Sequence, residues 1–346
     1  MQPKIEYTRS PDGTSIACWS LGEGAPVLLL PNPPFSSIEL EWRIRPNREW
    51  YEHLASRHRL IGFDGRGSGH SQRGGENFSL EAQVADISAV VARFGLERFP
   101  LIGLVHSCAP AIAYAARYPE RVERMVLWGP YARGEEYASS PRIQAARALM
   151  TRDWQLYADT VGFFGFGWDM REQAESMRNF VEESSDPPTV IRMVQAMDHY
   201  DVSPLLGQVR CPTLVLQRRK AAWPTAETVS SVAAGIPGAQ LASVEGESTA
   251  IWAGKLAQVN ALIDAFLDEA PALGPVALAE QAPEPLTARE REVLRLLAAG
   301  SSNKEIGAAL GLSVHTVERH VANIYTKIDA RGRADATAYA LRNGIA

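Results

Sequence analysis

A histidine, a serine and a cysteine stand side by side at His106, Ser107 and Cys108, between an apolar run and an alanine-rich helical pattern. A strand, a sharp turn and a helix in that order form the corner at which acyl-transfer enzymes expose a nucleophile. An imidazole beside a hydroxyl or a thiol is the pairing that activates such a nucleophile. The stretch from Leu101 to Pro119 therefore predicts either a nucleophilic site or a corner that no longer performs chemistry.

Short apolar runs bounded by turn residues surround this corner and alternate with helical patterns. They predict buried parallel strands joined by right-handed crossovers. The runs cover Pro26–Leu30, His58–Asp64, Phe99–Leu104, Arg124–Gly129 and Pro212–Gln217, with helices over Leu80–Phe94 and Ala109–Tyr118. A long helical segment, about 132–206, contains the aromatic stretch Val161–Met170. We expect it to form a lid over the carboxyl ends of the strands, where open α/β sheets bind ligands.

Three longer stretches carry a resemblance to a known family: "RLIGFDGRGSGHSQR", "AIAYAARYPERVERMVLWGP" and "CPTLVLQRR". Residues 5–268 resemble an α/β hydrolase, which implies an α/β fold with a helical lid. The resemblance places the nucleophile at Val105, the acid near Ala221 and the base at Thr249, and none of these side chains can perform its role. The oxyanion loop reads "PNPPF", in which Pro33 and Pro34 have no N–H to donate.

A lidded cavity without reactive groups is thus expected, and the chain is interpreted as a pseudo-hydrolase with no catalytic residues. Aromatic walls with few polar groups suit a small apolar or aromatic ligand. The candidate ligand-binding residues are Asn32, Phe35, Val105, His106, Phe164, Trp168, His199 and Trp252, with Phe163, Phe166 and Tyr200 as further wall candidates. Shifting the alignment by two residues leaves one alternative open, an active hydrolase that uses Ser107 on its own effector.

An Ala- and Pro-rich stretch, residues 269–285, predicts a linker between domain 1–268 and domain 286–346. The whole chain carries a formal charge of −5, whereas the 61 residues from Leu286 onward carry +3. A basic module on an acidic body is a weak indication of nucleic-acid binding at the C-terminal end.

The C-terminal stretch also contains the signals of a small all-α domain. Thr287 with Glu290, and Ser302 with Glu305, form capping-box patterns that mark two helix starts. Gly300 and Gly311 are expected to end helices. A third helix carries Val317, Val321, Ile324 and Ile328 at the spacing of one buried stripe.

This domain resembles the LuxR-type helix-turn-helix nearly end to end, which implies a DNA-binding transcription regulator. On the face opposite the stripe, Arg319 would read guanine, Glu318 cytosine and Asn323 adenine. Lys304, Thr316 and Lys327 would contact backbone phosphates and set the register. The full set of candidate DNA-binding residues is Lys304, His315, Thr316, Glu318, Arg319, Asn323 and Lys327. The last helix, Ala334 to Arg342, resembles the one that pairs subunits in this family.

The expected partners are double-stranded DNA with a two-fold operator, a small-molecule effector, a second copy of the chain and RNA polymerase. No metal, cofactor or membrane is expected, because the three cysteines are widely spaced and no long apolar run occurs. A cytoplasmic protein is the corresponding prediction. A second alternative stays open, in which the large domain only dimerises or recruits a partner and holds no ligand.

Overall fold

A computed structural model of the chain describes residues 3–166, 171–268, 286–328, 330, 332–342 and 345. The chain divides into two units, Met1–Pro275 and Val276–Ala346. The stretch expected to be a linker, 269–285, lies outside the described residues.

The apolar runs of the larger unit form the strands of one sheet. They are β1 (Lys4–Arg9), β2 (Ser15–Leu21), β3 (Pro26–Leu29), β4 (Arg59–Phe63), β5 (Phe99–Leu104), β6 (Val122–Trp128), β7 (Thr213–Arg218) and β8 (Gln240–Val244). Among the described residues the sheet order is β1-β2-β4-β3-β5-β6-β7-β8, and β3 to β8 run parallel. The expected α/β fold is confirmed.

The N-terminal hairpin departs from the expected all-parallel sheet. Strand β1 pairs antiparallel with β2, and β2 pairs antiparallel with β4. The turn between β1 and β2 places Gly13 at a φ of 89°, and the Gly13 N–H donates to the Ser10 carbonyl at 2.8 Å. A positive φ favours glycine, so the Asp12–Gly13 pair is the local signal for this hairpin. Because β1 is half-buried, it has no continuous apolar run from which the strand could be predicted.

Helices flank the sheet and fill the long connection between β6 and β7. They are α1 (Ile38–Arg43), α2 (Arg45–Ala55), α3 (Leu80–Phe94), α4 (Cys108–Arg117), α5 (Gly134–Ala138), α6 (Pro141–Met150), α7 (Trp154–Phe166), α8 (Arg171–Ser184), α9 (Pro187–Met197), α10 (Ala226–Gly235) and α11 (Leu256–Asp268). Helices α5 to α9 lie in the segment expected to form a lid. Residues 167–170 of the expected aromatic stretch lie outside the described residues.

The core lies where the central strands meet the flanking helices. Leu28, Ile61, Leu101 and Val126, on four neighbouring strands, have no exposed surface. Each such side chain contributes roughly 1.5–3 kcal/mol relative to leaving it in water. This rigid centre holds the carboxyl ends of β3 to β7 in fixed positions, and the loops that follow those ends build the candidate site.

The smaller unit contains four helices among its described residues, α12 (Ala288–Ala298), α13 (Asn303–Leu310), α14 (Val314–Ile328) and α15 (Arg333–Arg342). Both predicted capping boxes are confirmed, because Thr287 and Glu290 exchange hydrogen bonds at 2.8 and 3.2 Å and Ser302 and Glu305 do likewise. Such reciprocal bonds satisfy N–H groups that a helix start leaves unpaired.

The predicted glycines and the predicted stripe of this unit are also present. Gly300 and Gly311 take positive φ values at the ends of α12 and α13. Val317 and Ile324 are completely buried, and the other two stripe residues, Val321 and Ile328, pack against the same small core. The third helix is therefore fixed by one apolar face, and its opposite face stays free for other contacts.

Candidate ligand cavity and nucleic-acid interface

Val105 lies in the sharp turn between β5 and α4 and takes a φ of 46°. A β-branched residue rarely adopts this left-handed conformation, because its side chain then crowds the backbone. Val105 is the only non-glycine residue with a positive φ in the described part of the chain. The strain coincides with the position that the sequence alignment assigns to the nucleophile, and the Val105 side chain lines a cavity.

Ser107 and Cys108 do not face this cavity. The Ser107 hydroxyl receives the Leu104 N–H at 2.8 Å and donates to the Leu104 carbonyl at 3.1 Å, with only 2% of the residue exposed. The Cys108 thiol lies 3.6 Å from the Trp128 carbonyl, and burial raises the pKa of that thiol. Both side chains hold the corner together, as small packing residues would.

His106 follows Val105 and is held on two sides. Its backbone N–H donates to Oδ1 of Asn32 at 3.2 Å, and its Nδ1 is hydrogen-bonded to the Tyr131 hydroxyl at 2.6 Å. Burial, and then the nearby charge of Arg147, lower the pKa of His106 to about 3. The imidazole is therefore neutral at physiological pH. The rings of Tyr131 and Tyr137 meet it edge-on.

The expected base position lines the cavity, and so do the residues that follow the expected acid position. After β7, Ala222 and Trp223 line it, one and two residues beyond the expected Ala221, and Thr249 lines it after β8. The Thr249 carbonyl accepts the Trp128 ring N–H at 2.7 Å. At the expected acid and base positions, the described wall residues carry neither a carboxylate nor an imidazole.

A buried arginine holds the loop that carries Thr249. The Arg218 guanidinium donates to the carbonyls of Glu245, Ile251 and Ala253 and lies over the Trp128 ring, 5.1 Å from its centroid. These bonds tie the end of β7 to the loop after β8. A hydrolase would join the same two loops through its acid and its base.

The cavity has a volume of about 260 Å³ and lies between the sheet edge and helices α1, α2 and α5 to α9. This exceeds the roughly 150 Å³ of an apolar cavity that holds benzene. Most of the wall is apolar. Its polar or charged side chains among the described residues are Asn32, Glu41, Asn47, Tyr51, His106, Tyr137, Arg142, Arg147, Tyr157, Trp19, Trp128, Trp223, Trp252 and Thr249.

Five of the predicted ligand-binding residues line the cavity together: Asn32, Phe35, Val105, His106 and Trp252. His199 was predicted wrongly, because it is exposed and its Nδ1 is bonded to the Gln195 carbonyl at 2.8 Å. Tyr200 was also predicted wrongly as a wall residue, because its buried hydroxyl donates to the Phe78 carbonyl away from the cavity. Trp168 and the side chains of Phe163, Phe164 and Phe166 lie outside the described residues.

Several wall residues were missed from the sequence. Glu41 and Tyr51 stand on separate short helices, and Tyr137 and Arg147 stand on two lid helices. No local pattern links them, so only the packed chain brings them to one wall. Trp223 had a signal, because it follows the expected acid position by two residues.

The described residues hold no group of three or more His, Cys, Asp or Glu side chains placed to bind a metal ion. Within the same residues, no helix combines the length and the apolar character needed to span a bilayer.

The exposed face of α14 carries most of the predicted DNA contacts. His315, Glu318, Arg319 and Asn323 are exposed there, and Thr316 is half-buried. The Thr316 backbone N–H donates to the Ser313 hydroxyl oxygen at 3.1 Å, which caps the helix start. Lys304 is exposed near the start of α13.

Lys327 is not available as a phosphate contact, which corrects its predicted role. Its ammonium lies 2.9 Å from Oε2 of Glu290, and the two side chains are only 19% and 5% exposed. The pair joins α14 to the capping box of α12. Burial by itself would raise the pKa of Glu290, but the bonds from Lys327 and Thr287 outweigh it and hold that pKa below its ordinary value.

Helix α15 packs its small side chains inward, with Ala336 and Ala340 fully buried against the small core. Arg333 fixes its start by donating to the carbonyls of Leu297 and Ser301 at 3.0 and 2.5 Å.

Two family models match the chain. The alpha/beta hydrolase fold model matches residues 40–218, and the model of bacterial regulatory proteins of the luxR family matches residues 284–340.

Curated relatives match the second region. The transcriptional regulatory protein LiaR of Bacillus subtilis is 47% identical over 62 residues, which are 18% of this chain and 29% of LiaR. The putative HTH-type transcriptional regulator YhjB of Escherichia coli is 49% identical over 51 residues, 15% of this chain and 26% of YhjB. The chain thus spans less than a third of the length of these relatives.

Solved structures match the larger unit. An esterase from Exiguobacterium antarcticum has a TM-score of 0.67 at 19% identity, covering 78% of this chain and all of the esterase. The enol-lactonase from Burkholderia xenovorans has a TM-score of 0.66 at 23% identity, covering 76% of this chain and all of the lactonase. At such identities the likeness shows the fold alone. The chain therefore belongs to the alpha/beta hydrolase fold family and carries, at residues 284–340, a domain of the luxR family of bacterial regulatory proteins.

Proposed function

We propose that the protein is a DNA-binding transcriptional regulator whose hydrolase-like unit binds a small apolar or aromatic ligand without converting it. The observation that carries this proposal is Val105, a residue without a lone pair at the strained position of the nucleophile. Residues 1–268 would form the ligand-binding domain, 269–285 the linker and 286–346 the DNA-binding domain.

The surroundings of Val105 support a site that does not catalyse. The one N–H next to it, that of His106, is already bonded to Asn32, and Pro33 and Pro34 offer no second donor. Stabilisation of an oxyanion by such donors is usually the largest catalytic contribution in acyl transfer. Thr249 supplies no base. A hydroxyl without a neighbouring base keeps its unreactive alcohol pKa.

The cavity supports a role in binding. A volume of about 260 Å³ with a largely apolar wall is suited to a small organic molecule. Helices α5 to α9 cover it, so a bound ligand would contact elements on both sides of the cavity. Such a ligand would act by shifting populations, provided that it prefers the conformation able to bind DNA or the one unable to.

The exposed face of α14 supports recognition of double-stranded DNA in the major groove. We propose base contacts by Glu318, Arg319 and Asn323, with Lys304, His315 and Thr316 at the backbone. A recognition helix of this kind binds a two-fold operator as a homodimer, and RNA polymerase would be the partner at a promoter. A cytoplasmic location agrees with these partners.

The test uses the full-length chain in two assays. The first measures hydrolysis of p-nitrophenyl esters and of simple lactones by the wild type, by Ser107→Ala and by Val105→Ser. We expect no turnover from any of them, because even a restored serine lacks a base at Thr249. Activity of the wild type that Ser107→Ala abolishes would establish the alternative, an active hydrolase acting on its own effector.

The second assay selects double-stranded DNA from a random pool and measures its affinity by fluorescence anisotropy. It is repeated with each small molecule that raises the melting temperature of the protein in a screen of aromatic, lactone and acyl metabolites. A ligand recovered intact by mass analysis, with a changed DNA affinity, supports the proposal. A failure to select any DNA, or ligands that leave DNA affinity unchanged, would contradict it.

A further inference from the structure

Glu41 carries a carboxyl group on the wall of a largely apolar cavity. It belongs to α1 and is only half-buried, so part of its surface is open to the cavity. A carboxyl group in such surroundings is costly unless it has a partner. Glu41 lies outside the strand-turn-helix corner that carries Val105.

Both hydrogen bonds that Glu41 accepts come from neutral donors. The Tyr51 hydroxyl donates to Oε2 at 2.5 Å, and the backbone N–H of Ser37 donates to Oε1 at 3.2 Å. A carboxylate offers about four lone-pair positions, so acceptor capacity remains. Within the described residues no arginine, lysine or histidine forms an ion pair with Glu41. Its neighbour on the same helix, Glu39, is exposed and pairs with Arg43 and His70.

Two arginines, Arg142 and Arg147, line the same cavity, and within the described residues neither forms an ion pair with Glu41. Burial, opposed by the Tyr51 bond and then reinforced by the charge of Asp64, raises the pKa of Glu41 to about 7. Burial disfavours the charged carboxylate, and an opposite charge within about 4–6 Å would favour it. Arg147 lines the same cavity, but its guanidinium is engaged by both oxygens of Asp198 at 2.7 Å.

Aromatic rings on the wall of the same cavity favour the same kind of ligand. The Trp19 and Tyr51 rings lie 5.5 Å apart, and both line the cavity together with Phe63. Aromatic faces attract cations through their quadrupole, most strongly where water is excluded. Their edges and the aliphatic wall suit an apolar body.

We propose that the cavity binds an amine, with its ammonium group at the Glu41 carboxylate and its apolar or aromatic body along the remaining wall. This inference rests on the proposed function, because it names the ligand class of the same cavity. The ammonium donates to Glu41 and replaces the missing cationic partner.

Isothermal titration calorimetry of the full-length protein tests this with three probes of matched size: 2-phenylethylamine, 2-phenylethanol and phenylacetate. At pH 8 we expect the amine to bind at least about tenfold tighter than the alcohol. Glu41→Gln, which keeps the shape and removes the charge, should abolish that preference. The control Glu39→Gln should retain it, because that side chain is exposed on the same helix.

The wild type provides a second readout that needs no variant. Between pH 8 and pH 6 the amine affinity should fall as Glu41 takes up a proton, whereas the alcohol affinity should stay constant. Two other titratable groups face Glu41, namely Tyr51 and Asp64. Burial raises the pKa of Tyr51 well above the range from pH 6 to pH 8. His106 stays neutral across it.

Two outcomes would overturn the assignment. One is equal or tighter binding of the alcohol or of phenylacetate, and the other is no binding of any of the three probes. Neither outcome decides the proposed function, which depends on DNA affinity and on whether other cavity ligands change it.

Discussion

The backbone N–H of His106 donates to the side-chain amide oxygen of Asn32 across 3.2 Å. In a hydrolase of this fold, the N–H after the nucleophile position points at the substrate oxyanion. Here the chain itself supplies the acceptor. The nucleophile position and its donor have therefore both become parts of a cavity wall.

Replacing Asn32 by Ala should destabilise the larger unit without creating activity. The half-buried N–H of His106 would lose its acceptor, which costs about 1 kcal/mol. Urea unfolding followed by tryptophan fluorescence measures this, because all eight tryptophans lie before residue 269. The control Gln144→Ala, exposed on α6, should stay within about 0.5 kcal/mol of wild type. An unchanged stability in Asn32→Ala would show that the bond contributes nothing.

The pH dependence of stability should carry the signature of His106. Its pKa is lowered to about 3 by burial and by Arg147, whereas an unfolded histidine titrates near 6.5. Between these values the unfolded chain binds the extra proton, so stability is complete above pH 6.5 and falls as the pH decreases. From pH 7 to pH 5 the loss is roughly 2 kcal/mol for this group. His106→Phe should flatten the curve in this window, measured by urea unfolding at several pH values. An identical slope in the variant would contradict the buried, neutral imidazole.

Lys327→Gln should destabilise the smaller unit by about 2 kcal/mol, because it leaves the buried charge of Glu290 without its cation. Hydrogen exchange of the α12 and α14 peptides measures the effect. The low pKa of Glu290 means that this stabilisation is present above its ordinary pKa of 4.5 and is lost as the pH falls below it. The matched control is Lys304→Gln, an exposed lysine in the same unit, which should leave exchange unchanged. Faster exchange in both variants would argue against a specific pair.

Arg319→Ala and Lys304→Gln should weaken DNA binding in different ways. Loss of a base contact at Arg319 should cost about 1–3 kcal/mol on selected DNA and little on random DNA. Loss of a phosphate contact at Lys304 should weaken both and reduce the salt slope by about one. Anisotropy titrations over a range of KCl concentrations separate the two. Lys255→Gln, exposed in the larger unit, is the control. Equal losses on both DNAs for Arg319→Ala would remove it from base recognition.

Much of this molecule could be predicted from short-range features. The capping boxes at Thr287 and Ser302, and the parallel strands around Gly103, depend on neighbours within a few residues. The absence of a nucleophile at Val105 is a matter of residue identity at a position that continuous spacing locates. A sequence carries such information directly, because helix starts, turns and buried runs are set by local geometry.

Other features depended on the packed chain. Glu41 meets Tyr51 across two helices, Arg218 reaches the carbonyl of Ala253, and Lys327 meets Glu290 across 37 positions. The exposed position of His199, outside the cavity, likewise could not be predicted from the sequence. Residue types alone determined that a valine, Val105, occupies the position expected for the nucleophile. Only the tertiary structure decided which charged side chains face the cavity and which form bonds that stabilise the fold. The physical reason is that long side chains contact residues that are close in space but distant in sequence.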